Sequence, residues 1–182
     1  MTRQYESEFD RLLEQARELL GAGDDALLAD ANIAVNQALT LRPESVEGWL
    51  VKCQVASATG DDLAALASAE MARARAPGRA ETLYWCGAVL GDLGRHREAL
   101  RAIEAGLRTI TADDHWMLED LYYEKAMILE ALGLHDAAVA TCEVGLASCP
   151  GSALLRAAIV PAERARVRSS LKVLRGGLSR EA

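Results

Sequence analysis

Three glycines, Gly60, Gly94 and Gly133, occupy the same place in three similar stretches, and no other feature restricts the fold as strongly. The runs before them read WLVKCQVASATG, LYWCGAVLGDLG and YYEKAMILEALG. Each run is apolar at helical spacing, so each glycine marks a helix end, where the left-handed conformation that glycine tolerates closes a turn. Five residues on come Ala65, Ala99 and Ala138; four further come Ala69, Ile103 and Cys142; then Pro77, Thr111 and Pro150. The glycines are 34 and 39 residues apart. A unit of this length holds one helix pair, which cannot bury its apolar face alone and must stack on its neighbours.

Composition agrees with helices only. The chain is 51% hydrophobic but 4% aromatic, and much of the apolar share is alanine, the strongest helix former. No Val/Ile/Thr alternation and no Asn-Gly or Asp-Gly hairpin turn interrupts it. Small residues (Ala65, Gly87, Ala99, Ala126, Ala138) let helix backbones approach, and large ones (Trp49, Leu83, Leu90, Tyr122, Leu129) fill the space between. Pro77 and Pro150 end second helices, because proline cannot continue one. Asp61 and Asp62 supply acceptors at the start of the next. The fold class expected is all-α: a right-handed superhelical stack of antiparallel helix pairs.

The period, with Trp49, Ala65 and Pro77 in Val46–Arg79, resembles the tetratricopeptide repeat, whose series is W-x2-L-G-x2-Y, A-x3-F and P. Leu83, Gly87, Ala99 and Ile103 fill that series in Ala80–Asp113, as do Tyr122, Ala126, Leu129, Ala138, Cys142 and Pro150 in Glu119–Ser152. Thr111 departs from it, and the five inserted residues Asp114–Leu118 are expected to lengthen the next helix and push Trp116 to an exposed edge. Residues 1–45 form a degenerate helix pair, with an amphipathic stripe from Phe9 to Leu20 and an out-of-phase link at Gly21–Asp25. Residues 153–182 form a C-terminal capping helix and basic tail, capped by Ser152 and broken or kinked at Pro161, with Val167, Leu171, Leu174 and Leu178 continuing its stripe.

Charge is asymmetric. The chain carries a net −7, yet from Gly151 onward Arg156, Arg164, Arg166, Arg168, Lys172, Arg175 and Arg180 face only Glu163 and Glu181. A basic cap explains this, and so does a contact with nucleic acid, an acidic protein or a membrane surface; the acidic body makes nucleic acid the weaker partner. No apolar run approaches a membrane span. The charged stretch Met1–Asp10 lacks a leader core, and Cys53, Cys86, Cys142 and Cys149 lie in helical patterns with no C-x2-C. A cytoplasmic chain with reduced thiols is expected. Alanine- and arginine-rich, lysine-poor composition suits a GC-rich bacterial genome.

No catalytic, cofactor or metal motif is present in the sequence: no phosphate loop, no H-E-x-x-H, no G-x-S-x-G. His96 and His135, two residues after Gly94 and Gly133, take a place that holds packing tyrosines in the family. Cys142 and Cys149 are expected to share a helix, without a metal site. The chain is read as no enzyme and needing no cofactor.

The resemblance implies a concave face lined by the first helix of each pair, with contacts at its second, fifth, ninth, twelfth and thirteenth positions. The groove residues carried over are Glu47, Leu50, Gln54, Glu81, Tyr84, Asp92, Asp120, Tyr123, Met127 and Glu130. Aromatic and methionine contacts amid carboxylates suit a basic or neutral peptide segment of another protein, although solvated polar faces and rim packing would give the same pattern. The Lys/Arg/Asn set of a carboxylate clamp is missing. Two alternatives stand beside this adaptor reading. One is a cytoplasmic chaperone of secreted clients, resembling type III secretion chaperones, with the Phe9–Leu20 stripe partly exposed and available for a homodimer. The other is a regulatory module touching nucleic acid through the Arg164–Arg175 helix.

Overall fold

Each tight turn within a helix pair is closed by one glycine with positive φ: Gly23 (66°), Gly60 (74°), Gly94 (71°) and Gly133 (74°). Around the last three the same two bonds recur. Asp61 N–H donates to Ala56 O at 2.9 Å, Arg95 N–H to Leu90 O at 2.8 Å and Leu134 N–H to Leu129 O at 2.9 Å, and each glycine N–H bonds three residues back. These bonds satisfy carbonyls that the helix end leaves open. Gly23 turns the first pair as well, but it stands 37 residues before Gly60 and its turn lacks the first of those bonds; Ala22 and Gly23 make the turn, and the Asp24 side chain caps the next helix at Ala26 N–H.

The structure, a computed structural model, describes the backbone of residues 2–178 and the side chains of residues 8–167. Its helices are α1 (Thr2–Gly21), α2 (Asp25–Leu41), α3 (Val46–Ala58), α4 (Asp62–Arg75), α5 (Ala80–Asp92), α6 (His96–Thr109), α7 (Leu118–Ala131), α8 (His135–Ser148) and α9 (Ala153–Leu178). One 3₁₀ turn, His115–Met117, precedes α7, and no strand occurs among the described residues. The helices pair as α1/α2, α3/α4, α5/α6 and α7/α8 and stack in a right-handed solenoid, with α9 against α8 and α7.

Close packing follows the small residues. A Cβ on Gly87 would lie 2.5 Å from Ile103 Cδ1, and one on Gly145 would lie 2.8 Å from Leu155 Cδ1 and 2.9 Å from Tyr122 Cβ. Ile103, Leu121 and Leu155 are wholly buried, each side chain stabilising the fold by roughly 1.5–3 kcal/mol. Caps behave as their residue types require: Asp61 accepts from Ala64 N–H at 3.0 Å and Ser152 Oγ from Leu155 N–H at 2.9 Å. Pro43, Pro77 and Pro150 each follow a helix end by one residue.

Several expectations are corrected. α9 runs through Pro161. Proline has no amide to bond the carbonyl of Ala157, but both residues are exposed, so that carbonyl is open to solvent. Cys149 caps α8 from outside it, so it shares no helical face with Cys142. The inserted residues form the 3₁₀ turn, with Thr111 Oγ1 donating to Asp114 rather than Asp114 capping α7; Trp116 is 65% exposed, as expected. The stripe of α1 is spent within the chain, since Phe9, Leu12, Leu13 and Ala16 are at most 5% exposed. The first half of α9 covers the end of the stack through Leu155, Ala158 and Ala162. Leu171, Leu174 and Leu178, with Arg168, Lys172, Arg175 and Arg180, lie outside the residues whose side chains are described.

Candidate functional site

The first helices α3, α5 and α7 stand side by side and touch one another, so their outward positions form one continuous face. Tyr84, in mid-α5, is its centre. Its ring meets Trp85 edge-on, centroids 5.4 Å apart at 77°. Burial, and after it the charges of Asp120, Glu124 and Asp92, push the Tyr84 hydroxyl up to about 12. Three carboxylates thus act on one phenol.

Each of those carboxylates is itself raised above its ordinary value. For Glu124 the causes are burial and then the charge of Asp92; for Asp92, burial and then Asp62; for Asp120, burial and then Glu119. Among the described residues none of the three makes an ion pair within 4 Å. Burial disfavours each ionised carboxyl first, and a neighbouring like charge with no cation to offset it adds to the shift. Gly91 makes the crowding feasible, since a Cβ there would lie 3.3 Å from Glu124 Oε1.

The other expected groove residues are placed unequally. Tyr123 is half-buried beside this centre and Met127 is 41% exposed one turn further along α7. Gln54 is half-buried on α3. Leu50 is corrected: at 2% exposure it belongs to the core, so the fifth position of the first repeat offers no surface. Glu47 and Glu81 are not free acids. Arg79, immediately before α5, donates to Glu47 at 2.7 Å and to Glu81 at 2.5 Å. Glu130 is engaged as well, its Oε2 lying 2.8 Å from His135 Nδ1. The uncompensated acid is therefore confined to the middle of the face.

Two residues at this site are absent from those expected from the sequence. Arg79 ends one repeat in the numbering, so the repeat pattern does not mark it as part of the next first helix. Glu124 falls outside the carried-over positions, although its spacing of four from Asp120 puts the pair on one helical face. Among the described residues no group of His, Cys, Asp or Glu is arranged to hold a metal, and no helix is long and apolar enough to cross a membrane. Arg156 donates to the carbonyls of Pro150 and Gly151, and Arg166 lies 3.8 Å from Asp136, so part of the basic cap is used within the chain.

No protein-family model matches this sequence, and no curated protein is significantly similar to it. Solved structures do match. The MamA protein aligns over 96% of this chain and 92% of its own, at 19% identity and a TM-score of 0.69. TTC0263, a thermophilic TPR protein of Thermus thermophilus, aligns over 83% of this chain and 79% of its own, at 21% identity and a TM-score of 0.71. At such identities the likeness is one of fold.

Proposed function

We propose that this chain, a solenoid of the tetratricopeptide-repeat type, is a non-catalytic interaction module that takes a segment of a partner protein on the face of α3, α5 and α7. The observation that carries the reading is the trio Asp92, Asp120 and Glu124 about Tyr84, each carboxyl raised first by burial and then by a neighbouring carboxylate, and none of them in an ion pair within 4 Å among the described residues. A lysine or arginine of the partner relieves that repulsion and makes charge-assisted hydrogen bonds. Tyr84, Tyr123 and Met127 supply the apolar and aromatic contact on either side. The segment is basic at this point and neutral toward the ends, where Arg79 and His135 already answer Glu47, Glu81 and Glu130.

The chaperone reading calls for a partly exposed α1 stripe, and of that stripe Phe9, Leu12, Leu13 and Ala16 are buried while Leu19 and Leu20 are half-buried. A solution test selects short peptides on the wild-type chain and compares their affinity for Tyr84→Ala/Tyr123→Ala and for Asp120→Asn/Glu124→Gln. Circular dichroism confirms that each variant is folded. Lysine- or arginine-bearing peptides should bind, weaken by about tenfold or more in each variant, and lose affinity with added salt. Undiminished affinity in both variants would remove this face as the site. Capture from a source lysate with the same variants then identifies the natural partner.

A further inference from the structure

The last helix is longer than the stack it closes. α9 has 26 residues, and α8, against which it packs, has 14. The excess amounts to about 18 Å of helix at 1.5 Å per residue. Leu155, Ala158 and Ala162 turn one side of α9 into the core, whereas Val160 and Val167 are 45% and 54% exposed. Leu171, Leu174 and Leu178 follow those valines at intervals of three and four residues. On a backbone that is helical through Leu178, these five positions fall within about 60° of arc, on the side roughly opposite Leu155, Ala158 and Ala162. They form a second stripe, so the expectation that they continue the capping stripe is corrected.

Arg168, Lys172 and Arg175 follow one flank of that stripe in the sequence, and no acidic residue occurs between Arg164 and Arg180. A helical end of this length is not stable in water by itself and needs its amphipathic face packed on something. The same chain carries a surface of opposite charge. On the face of α3, α5 and α7, Asp92, Asp120 and Glu124 act on Tyr84 and make no ion pair within 4 Å among the described residues. Tyr123 is half-buried there and Met127 is 41% exposed. Three neighbouring helices with axes 8–10 Å apart span about 20 Å. Residues 168–178 as helix span about 16 Å, which suits that width. They cannot turn back onto their own face, because α9 is one continuous helix through Leu178.

We infer that this chain binds a second copy of itself, the end of α9 in one copy, residues 168–178, lying across the α3, α5 and α7 face of the other. Arg168, Lys172 and Arg175 meet Asp92, Asp120 and Glu124, and Leu171, Leu174 and Leu178 meet Tyr84, Tyr123 and Met127. The inference rests on the reading of that face proposed above and names its partner. Charge complementarity specifies the occupant: the end of the chain is basic and apolar, and the face is acidic and aromatic. The two surfaces differ, so the contact is heterologous, and copies add head to tail or close into a ring where the rotation permits.

Sedimentation velocity of the full chain at low salt should show species larger than the monomer, growing with protein concentration and dissociating as salt is added. The tail variant Arg168→Glu/Lys172→Glu/Arg175→Glu and the face variant Asp120→Asn/Glu124→Gln, each checked by circular dichroism, should be monomeric alone. Mixed in equal amounts they should form a one-to-one pair, since one supplies the face and the other the tail. A fluorescent peptide of residues 164–182 should bind the wild type and the tail variant, and the face variant about tenfold more weakly. Should a variant fail to fold, the peptide on the wild type still decides. A wild type that stays monomeric and leaves the peptide unbound would overturn the inference. If other lysine- or arginine-bearing peptides then bind this face, the reading of the face stands without it; if none does, both fall. Association that persists in the face variant, or that nuclease abolishes, would put the tail elsewhere and overturn it as well.

Discussion

Arg79 donates to Glu47 at 2.7 Å and thereby ties the residue just ahead of α5 to the first turn of α3. A second bond to Glu81 makes one guanidinium answer two carboxylates. Consecutive repeats are joined at the start of their first helices, and the acid of the inner face is divided into a neutralised end and an uncompensated centre. That division, rather than total charge, governs where a basic side chain would settle.

Replacing Arg79 by Met should lower the melting temperature by a few degrees, because the bridge is partly exposed and such pairs contribute about 1 kcal/mol. Burial pushes the Glu47 carboxyl up, but the hydrogen bond and charge of Arg79 more than offset it, leaving Glu47 below its ordinary value. A depressed carboxyl contributes stability that is present above its unfolded pKa and lost as pH falls through its folded one. The difference in melting temperature between wild type and Arg79→Met should therefore shrink as pH falls below 4.5. A difference constant with pH would show that the bridge contributes through packing alone.

Glu124→Gln should have the opposite sign. Burial and the charge of Asp92 raise its carboxyl, so the ionised form destabilises the fold above that raised value, and the strain is relieved as pH falls toward 4.5. The variant should melt above the wild type at pH 7, and the two curves should converge on acidification. In the same window a basic peptide on this face should lose affinity, since protonated carboxyls no longer attract it. Thermal unfolding by circular dichroism at several pH values reads the first effect and anisotropy the second.

Two glycine substitutions should fail for different reasons. Gly87→Ala drives a methyl group to 2.5 Å from Ile103 Cδ1 and should cost about 1–3 kcal/mol. Ile103→Ala removes that atom together with Cγ1, 2.6 Å away, so in the double variant the two losses should be less than additive. Gly60→Ala meets open space, but its φ of 74° should cost about 1–2 kcal/mol, and no neighbouring change should rescue it. Urea unfolding of the four chains measures both effects.

The thiols should divide by burial. Burial pushes Cys53 up to about 12 and Cys86 up to about 11, and Cys142 is wholly enclosed. Iodoacetamide near pH 8 should label Cys149 first, the others following only with denaturant, as read by peptide mass spectrometry. Early labelling of Cys86 would show that the packing of α5 against its neighbours opens readily.

Much of the architecture is legible in the sequence because its signals are local. A glycine at the end of an apolar run, an aspartate three residues before a free amide and a proline after a helix end act within one turn of chain. Gly60, Asp61 and Pro77 therefore mean the same in sequence as in space. Pro161 misleads, because breaking a helix also depends on whether water can reach the freed carbonyl, which the local sequence does not state.

The sequence by itself determined the helices, their pairing and the phase of the stack, since these follow from spacing along the chain. Only the tertiary structure decided the face. Leu50 is hidden, Glu47 and Glu81 are answered by Arg79, and Glu124 is pressed toward α5 beside Gly91. Each of these outcomes sets residues from different helices within a few ångströms of one another. Electrostatic and packing energies depend on those separations, and the rotation between neighbouring pairs sets them.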